Sequence, residues 1–113
     1  VHEAALARQI LAVALERAES AGATRVRAVR GWIRESEALS GQSLAAHFAA
    51  QADATIAQGA RLEFLVERVE ARCGSCGGVY LPEHHVLLCP ACGSGEAELL
   101  GRVGLGVDAI DVE

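Results

Sequence analysis

Four cysteines in two close pairs are the residues best placed to do chemistry in this chain: Cys73-Gly74-Ser75-Cys76, twelve intervening residues, then Cys89-Pro90-Ala91-Cys92. Two residues between paired cysteines let one tight turn present both thiolates to an edge of a tetrahedron, and two such knuckles complete a four-cysteine shell of the structural-zinc type. Gly77 and Gly93 follow the pairs, where a backbone without a Cβ can turn to positive φ and aim amide N–H groups at the sulfurs. The competing readings are redox dithiols or two disulfides, but thioredoxin-type motifs need one pair at a helix N-terminus, not two matched knuckles. Four thiolates leave no open coordination position, so the expected role is structural and not catalytic. With one Zn2+ the shell carries a net charge of about −2, which makes its surroundings more acidic than the formal count.

The four histidines divide into three cases. His84 and His85 follow Leu81-Pro82-Glu83 in the loop between the knuckles and read as a solvated turn, because a complete set of four cysteines leaves them no vacancy. His47 stands beside Phe48 and reads as a partly buried helix residue, with no second ligand four residues away on either side. His2 is different. A histidine in second position places the α-amine, its own amide nitrogen and its imidazole in fused five- and six-membered chelate rings, with the Glu3 amide next in line. Such a nitrogen set suits square-planar Ni2+ or Cu2+, and Zn2+ has no matching preference. An ordinary residue ahead of a helix is the competing reading. The chain contains no Met; either a start codon read as Val or removal of something upstream would account for this, and the first reading, which is preferred, gives the expectation of a free amine beside His2.

Composition narrows the function classes. The formal charge is −5 and there is no Lys; the Arg residues fall in the first 72 positions apart from Arg102. Between Cys73 and Gly101 there are Glu83, Glu96 and Glu98 and no Arg. A binder of nucleic acid gains affinity through clustered cations, so a zinc-ribbon module for nucleic acid, or for an assembly partner, is the alternative and its nucleic-acid form is disfavoured. No run approaches the roughly 18 apolar residues of a membrane span, and Val1-His2-Glu3 lacks a secretory n-region. A cytoplasmic protein is expected, and in a reducing compartment paired cysteines favour metal over disulfide. No nucleophile, base and orienting group assemble from one motif, so an enzyme is not expected.

The elements that must position these residues follow from periodicity. From Glu3 to about Ser20, Leu6, Ile10 and Val13 recur at helical spacing, widened by Leu11, Ala14 and Leu15, and the helix should end near Ala21-Gly22. Thr24 to Ile33 suits a strand, with a slip in alternation between Ala28 and Val29 that a bulge or cover on both faces would explain. Ser40 to Ser43 offers N-cap side chains for a second helix over 42–58, with Leu44, Phe48, Ala52 and Ile56 toward the core and Gly59 as the stop. Leu62, Phe64 and Val66 alternate with charged residues as a half-buried strand, and Val103, Leu105 and Val107 begin a last one that runs to Val112. The expected fold class is α+β: two helices packed on a three-stranded mixed sheet, with an inserted four-cysteine, zinc-ribbon-like module. The expected division is residues 1–72 plus 102–113 as an α/β domain headed by His2 and 73–101 as the zinc-binding module.

His2-Glu3 opening an amphipathic helix, Gly59-Ala60-x-Leu62-Glu63 opening a strand, then Cys73-x-x-Cys76-Gly77 and Cys89-Pro90-x-Cys92-Gly93-Ser94 together resemble the HypA family of hydrogenase and urease nickel-insertion proteins. The likeness runs over nearly the whole chain in order. It implies that His2, with the backbone nitrogens of Val1, His2 and Glu3, binds exchangeable Ni2+, and that Cys73, Cys76, Cys89 and Cys92 bind structural Zn2+. It further implies a HypB-type nickel-binding GTPase as partner and the NiFe-hydrogenase large-subunit precursor as destination, with urease and its accessory proteins also open. Two positions depart from the family pattern. Val1 stands where the family has Met, and Ile33 is followed by Arg34-Glu35-Ser36-Glu37 where the family has a glycine-containing loop.

Overall fold

The computed structural model describes residues 2–83 and 86–113, and of His2 the backbone alone. Helix α1 spans His2–Ser20. Its buried line is Ala7, Ile10, Leu11, Ala14 and Ala18, so alanines hold much of the face and Leu6, Val13 and Leu15 sit half-buried beside it. Small residues let a second helix approach closely, and α2, Gly41–Ala52, packs Leu44, Phe48 and Ala52 there. Two polar contacts secure this packing: the Ser40 N–H donates to the Glu3 carboxylate at 3.2 Å, and the Gln51 amide donates to the Ala4 carbonyl at 3.0 Å.

Helix α2 starts where expected, capped by the Ser40 hydroxyl, which accepts from the Ser43 N–H at 3.1 Å. It stops six residues earlier than residue 58. Asp53 takes an extended backbone (φ −56°, ψ 138°) and Ala54 a left-handed one (φ 64°). The Thr55 hydroxyl and N–H both donate to the Ala52 carbonyl, at 2.6 and 3.0 Å, which satisfies the helix end. Ile56 consequently misses the core and Ala57 is buried in its place. The Ile56 carbonyl accepts from Val26 N–H at 2.9 Å, so the turn leads into the sheet instead.

Strands β1 (Val26–Glu35), β2 (Arg61–Arg68) and β6 (Gly104–Val112) form one sheet in the order β2-β1-β6. Arg30 pairs with Glu63 and Arg34 with Glu67, a step of four residues in the same sense on both strands, so β1 and β2 are parallel. Thr24 meets Glu113 while Gly31 lies against Gly106, so β6 runs antiparallel and the sheet is mixed. The slip in alternation expected in β1 is present, since Ala28 and Val29 are both fully buried, and Arg27 and Arg30 reach Glu113 and Asp111. β1 continues to Glu35, two residues beyond Ile33, through the segment that lacks the family's glycine.

A second sheet is built from β3 (Ala71–Cys73), β4 (Val79–Tyr80) and β5 (Ala97–Leu99), in the order β4-β3-β5 with both pairings antiparallel. The chain divides into two compact units: Val1–Trp32 with Leu39–Leu65 and Leu105–Glu113, and Ile33–Ala38 with Val66–Gly104. The cysteines belong to the second, whose limits run beyond residues 73–101 on both sides. Its core is Ala71, Cys73, Tyr80 and Cys89, with Leu87 and Ala97 packed against them. Among the described residues no helix is long and apolar enough to cross a membrane.

Candidate metal centre

Each cysteine pair forms the same turn. Cys73 N–H donates to the Gly78 carbonyl at 2.8 Å and Gly77 N–H returns to the Cys73 carbonyl at 3.0 Å; Cys89 and Ser94, then Gly93 and Cys89, repeat this at 3.0 and 2.8 Å. Gly77 (φ 75°) and Gly93 (φ 77°) take the left-handed conformation that reverses the chain, where a Cβ would be strained. The reversal aims amides at sulfur. Ser75 and Cys76 donate to Cys73 Sγ, both at 3.4 Å, and Ala91 and Cys92 do the same for Cys89. The amides just past the glycines, Gly78 and Ser94, point at Cys76 and Cys92.

Both turns converge. All four Sγ atoms lie within 4.8 Å of one another, with Cys73 to Cys92 at 3.5 Å and Cys76 to Cys89 at 3.6 Å. A tetrahedral zinc with bonds of about 2.3 Å places its sulfurs about 3.8 Å apart, so the cluster fits such an ion with little adjustment. Cys73 and Cys89 are buried and Cys76 and Cys92 exposed, which seats one side of the cluster in the core and leaves the other at the surface. The Ser75 and Ser94 hydroxyls, one from each knuckle, bond at 2.9 Å and tie the turns together.

Charge defines what the cluster lacks. Amides of Cys76 and Ser75 hold the Cys73 thiol down at about 6, and those of Cys92 and Ala91 lower Cys89. Cys92 goes the other way: although the Ser94 amide favours its thiolate, the neighbouring Cys73 sulfur, desolvation and the other sulfurs push it up to about 12. Cys76 is raised too, against the pull of the Gly78 amide, by the Cys89 and Cys73 sulfurs. Two thiolates therefore form readily and two resist, and a dication is what lets all four ionise. Burial, then the surrounding sulfurs, pushes the Tyr80 hydroxyl up and keeps it neutral.

A family model described as hydrogenase/urease nickel incorporation, metallochaperone, matches residues 1–112. The chain belongs to the HypA family. Among its relatives, the hydrogenase maturation factor HypA of Caldanaerobacter subterraneus subsp. tengcongensis is 28% identical, with all of both chains covered. The HypA of Thermococcus sibiricus is 31% identical over all of this chain and 97% of its own. In fold, the solution structure of the Helicobacter pylori nickel metallochaperone HypA matches with a TM-score of 0.59 at 20% identity, covering 97% of this chain and 96% of that one.

The amine of Val1, the His2 imidazole, and His84 and His85 lie outside the described residues. His47 is exposed, not partly buried, because its neighbour Phe48 takes the inward position on α2. Sequence reading passed over the Ser75–Ser94 bond and the buried Tyr80. Both join residues far apart in the chain, and no local spacing signals either.

Proposed function

We propose that this chain is a nickel metallochaperone for hydrogenase maturation, carrying exchangeable Ni2+ at His2 and structural Zn2+ at Cys73, Cys76, Cys89 and Cys92. The family match over residues 1–112 carries the reading. The sulfur geometry supports the zinc assignment. For nickel, helix α1 begins at His2, and the first N–H groups of a helix have no partner within it. The amide nitrogens of His2 and Glu3 are thus free of the helix ladder and available as ligands. The Glu3 carboxylate accepts chiefly from the Ser40 N–H and to a lesser extent from its own amide.

Handover involves no bond-making in a substrate, so the protein is not an enzyme. Nickel at an exposed terminus exchanges its ligands one at a time with an incoming site, a HypB-type GTPase before it and the hydrogenase large-subunit precursor after it, in the cytoplasm. Protonating the amine, the amides or the His2 imidazole loosens nickel, so binding weakens on mild acidification. The test is Ni2+ affinity measured with the native terminus, with one residue added before Val1, and with His2→Ala. Both changes should abolish tight nickel binding and leave zinc in place; unchanged affinity in both overturns the proposal.

A further inference from the structure

The four sulfurs of the cluster are not equivalent. Cys76 and Cys92 are exposed, whereas Cys73 and Cys89 are buried. Two sulfur pairs make direct contact, Cys73 with Cys92 at 3.5 Å and Cys76 with Cys89 at 3.6 Å. Each pair sets an exposed sulfur against a buried one, and each crosses from one knuckle to the other. Amide donors favour the buried member: Cys73 Sγ receives Ser75 and Cys76, both at 3.4 Å, and Cys89 receives Ala91 and Cys92. Each exposed sulfur receives one backbone amide, from Gly78 or Ser94. A sulfur with fewer hydrogen bonds keeps more of its charge for reaction, and one open to solvent meets an oxidant first. Both effects select Cys76 and Cys92.

We propose that the cluster is a reversible oxidation site for a hydroperoxide, in which Cys76 or Cys92 is oxidised and then captured by the sulfur it touches in the other knuckle, Cys89 or Cys73. This rests on the zinc assignment made above. In the first step the exposed thiolate attacks one peroxide oxygen, the O–O bond breaks and hydroxide leaves, so the sulfur becomes a sulfenic acid. In the second the touching thiolate attacks that sulfur, the S–S bond forms, the S–OH bond breaks and a second hydroxide leaves. Two sulfurs have then given up two electrons, and the two peroxide oxygens have taken them. An accessible cysteine with a resolving partner beside it is the arrangement that makes such oxidation reversible. The shell falls to two thiolates, too few to retain the ion. Because the disulfide joins the knuckles, it takes over the crosslink that the ion made, and the Ser75–Ser94 bond at 2.9 Å already draws the two turns together. A dithiol reductant cleaves the disulfide by exchange and restores the four ligands.

The positions of the glutamates make the pairing readable. Cleavage after Glu70, Glu83 and Glu96 by a glutamyl endoprotease separates 71–83, with Cys73 and Cys76, from 84–96, with Cys89 and Cys92. The zinc-loaded full chain is treated with equimolar hydrogen peroxide, metal release is followed with a chromogenic chelator, remaining thiols are blocked, and the digest is weighed. Zinc should appear in step with thiol loss, and 71–83 should be found joined to 84–96, with tandem fragmentation placing the bond at Cys76–Cys89 or Cys73–Cys92. Dithiothreitol with added Zn2+ should restore the starting protein. The same treatment of zinc-free chain in urea should shift pairing toward Cys73–Cys76 and Cys89–Cys92, since no folded contact then directs it. Disulfides confined within each fragment of the folded protein, zinc retained through oxidation, sulfinic acid without a disulfide, or identical pairing in urea overturns the proposal. A purified chain that holds no zinc before peroxide is added would instead strike the zinc assignment.

Discussion

The Glu3 carboxylate, one residue from the histidine that heads α1, accepts a hydrogen bond from the backbone N–H of Ser40 at 3.2 Å, 37 residues away. Ser40 is also the N-cap of α2, so one residue anchors the start of one helix with its backbone and the start of the other with its side chain. The bond holds the Glu3 carboxyl below the usual carboxylate range, outweighing the desolvation that would raise it.

A carboxyl whose folded pKa is depressed contributes stability that is present above its unfolded value, about 4.3 for Glu, and is lost as pH falls through the folded value. Wild type should therefore exceed Glu3→Gln in stability at neutral pH. That difference should shrink once the pH drops below about 4.3. Urea melts of both proteins across pH 3 to 7, in roughly half-unit steps, check this; a difference that grows on acidification would contradict it.

Removing the cap isolates the other half of the Ser40 contact. Ser40→Ala keeps the N–H that reaches Glu3 and deletes the hydroxyl that receives Ser43. A loss of about 1 kcal/mol is expected, the usual scale for Ser to Ala at this position. Equilibrium unfolding of the zinc-loaded protein measures it.

Two glycines of the larger sheet should tolerate no side chain. A Cβ on Gly31 would run into the Gly106 carbonyl and, at 2.8 Å, the Phe64 ring; one on Gly106 would strike the Trp32 indole, with its Cζ2 at 2.7 Å. Backbone cannot move aside as a side chain can, so Gly31→Ala should be the worse. Each should cost at least about 1–3 kcal/mol, the range for overpacking, and thermal melts should rank them in that order.

Metal removal should act on one unit first. Chelating the ion leaves four sulfurs within 4.8 Å that cannot all remain charged, and the β3–β5 sheet has few other core residues to hold it. Amides of Ala71, Arg72, Cys73 and Ala97 should lose hydrogen-exchange protection in chelator, while those of Ile10 and Val29 retain it. Cys89→Ala, which removes a buried ligand, should reproduce the effect; equal protection with and without chelator would contradict it.

Much of the fold was legible because its determinants are local. Leu62, Phe64 and Val66 alternate and are half-buried in β2, and Ser40 caps α2 as its hydroxyl suggests. The end of α2 was not legible. Ile56 keeps helical spacing with Ala52, but pairing of its backbone with Val26 competes with the helix, and that partner lies 30 residues earlier in the chain. His47 failed likewise: its exposure depends on where α1 crosses α2, which periodicity within α2 does not encode.

By itself the sequence determined the two knuckles, because a two-residue spacing and a following glycine dictate each turn within six residues of chain, and it determined the type and order of the main elements. Tertiary structure decided how the knuckles meet, which sulfurs are buried, and that Ser75 joins Ser94. It also decided that Glu3 reaches Ser40 and that Tyr80 is sealed in beside an open apolar cleft. Turns follow from neighbouring residues, whereas burial and charge follow from whatever the folded chain brings near.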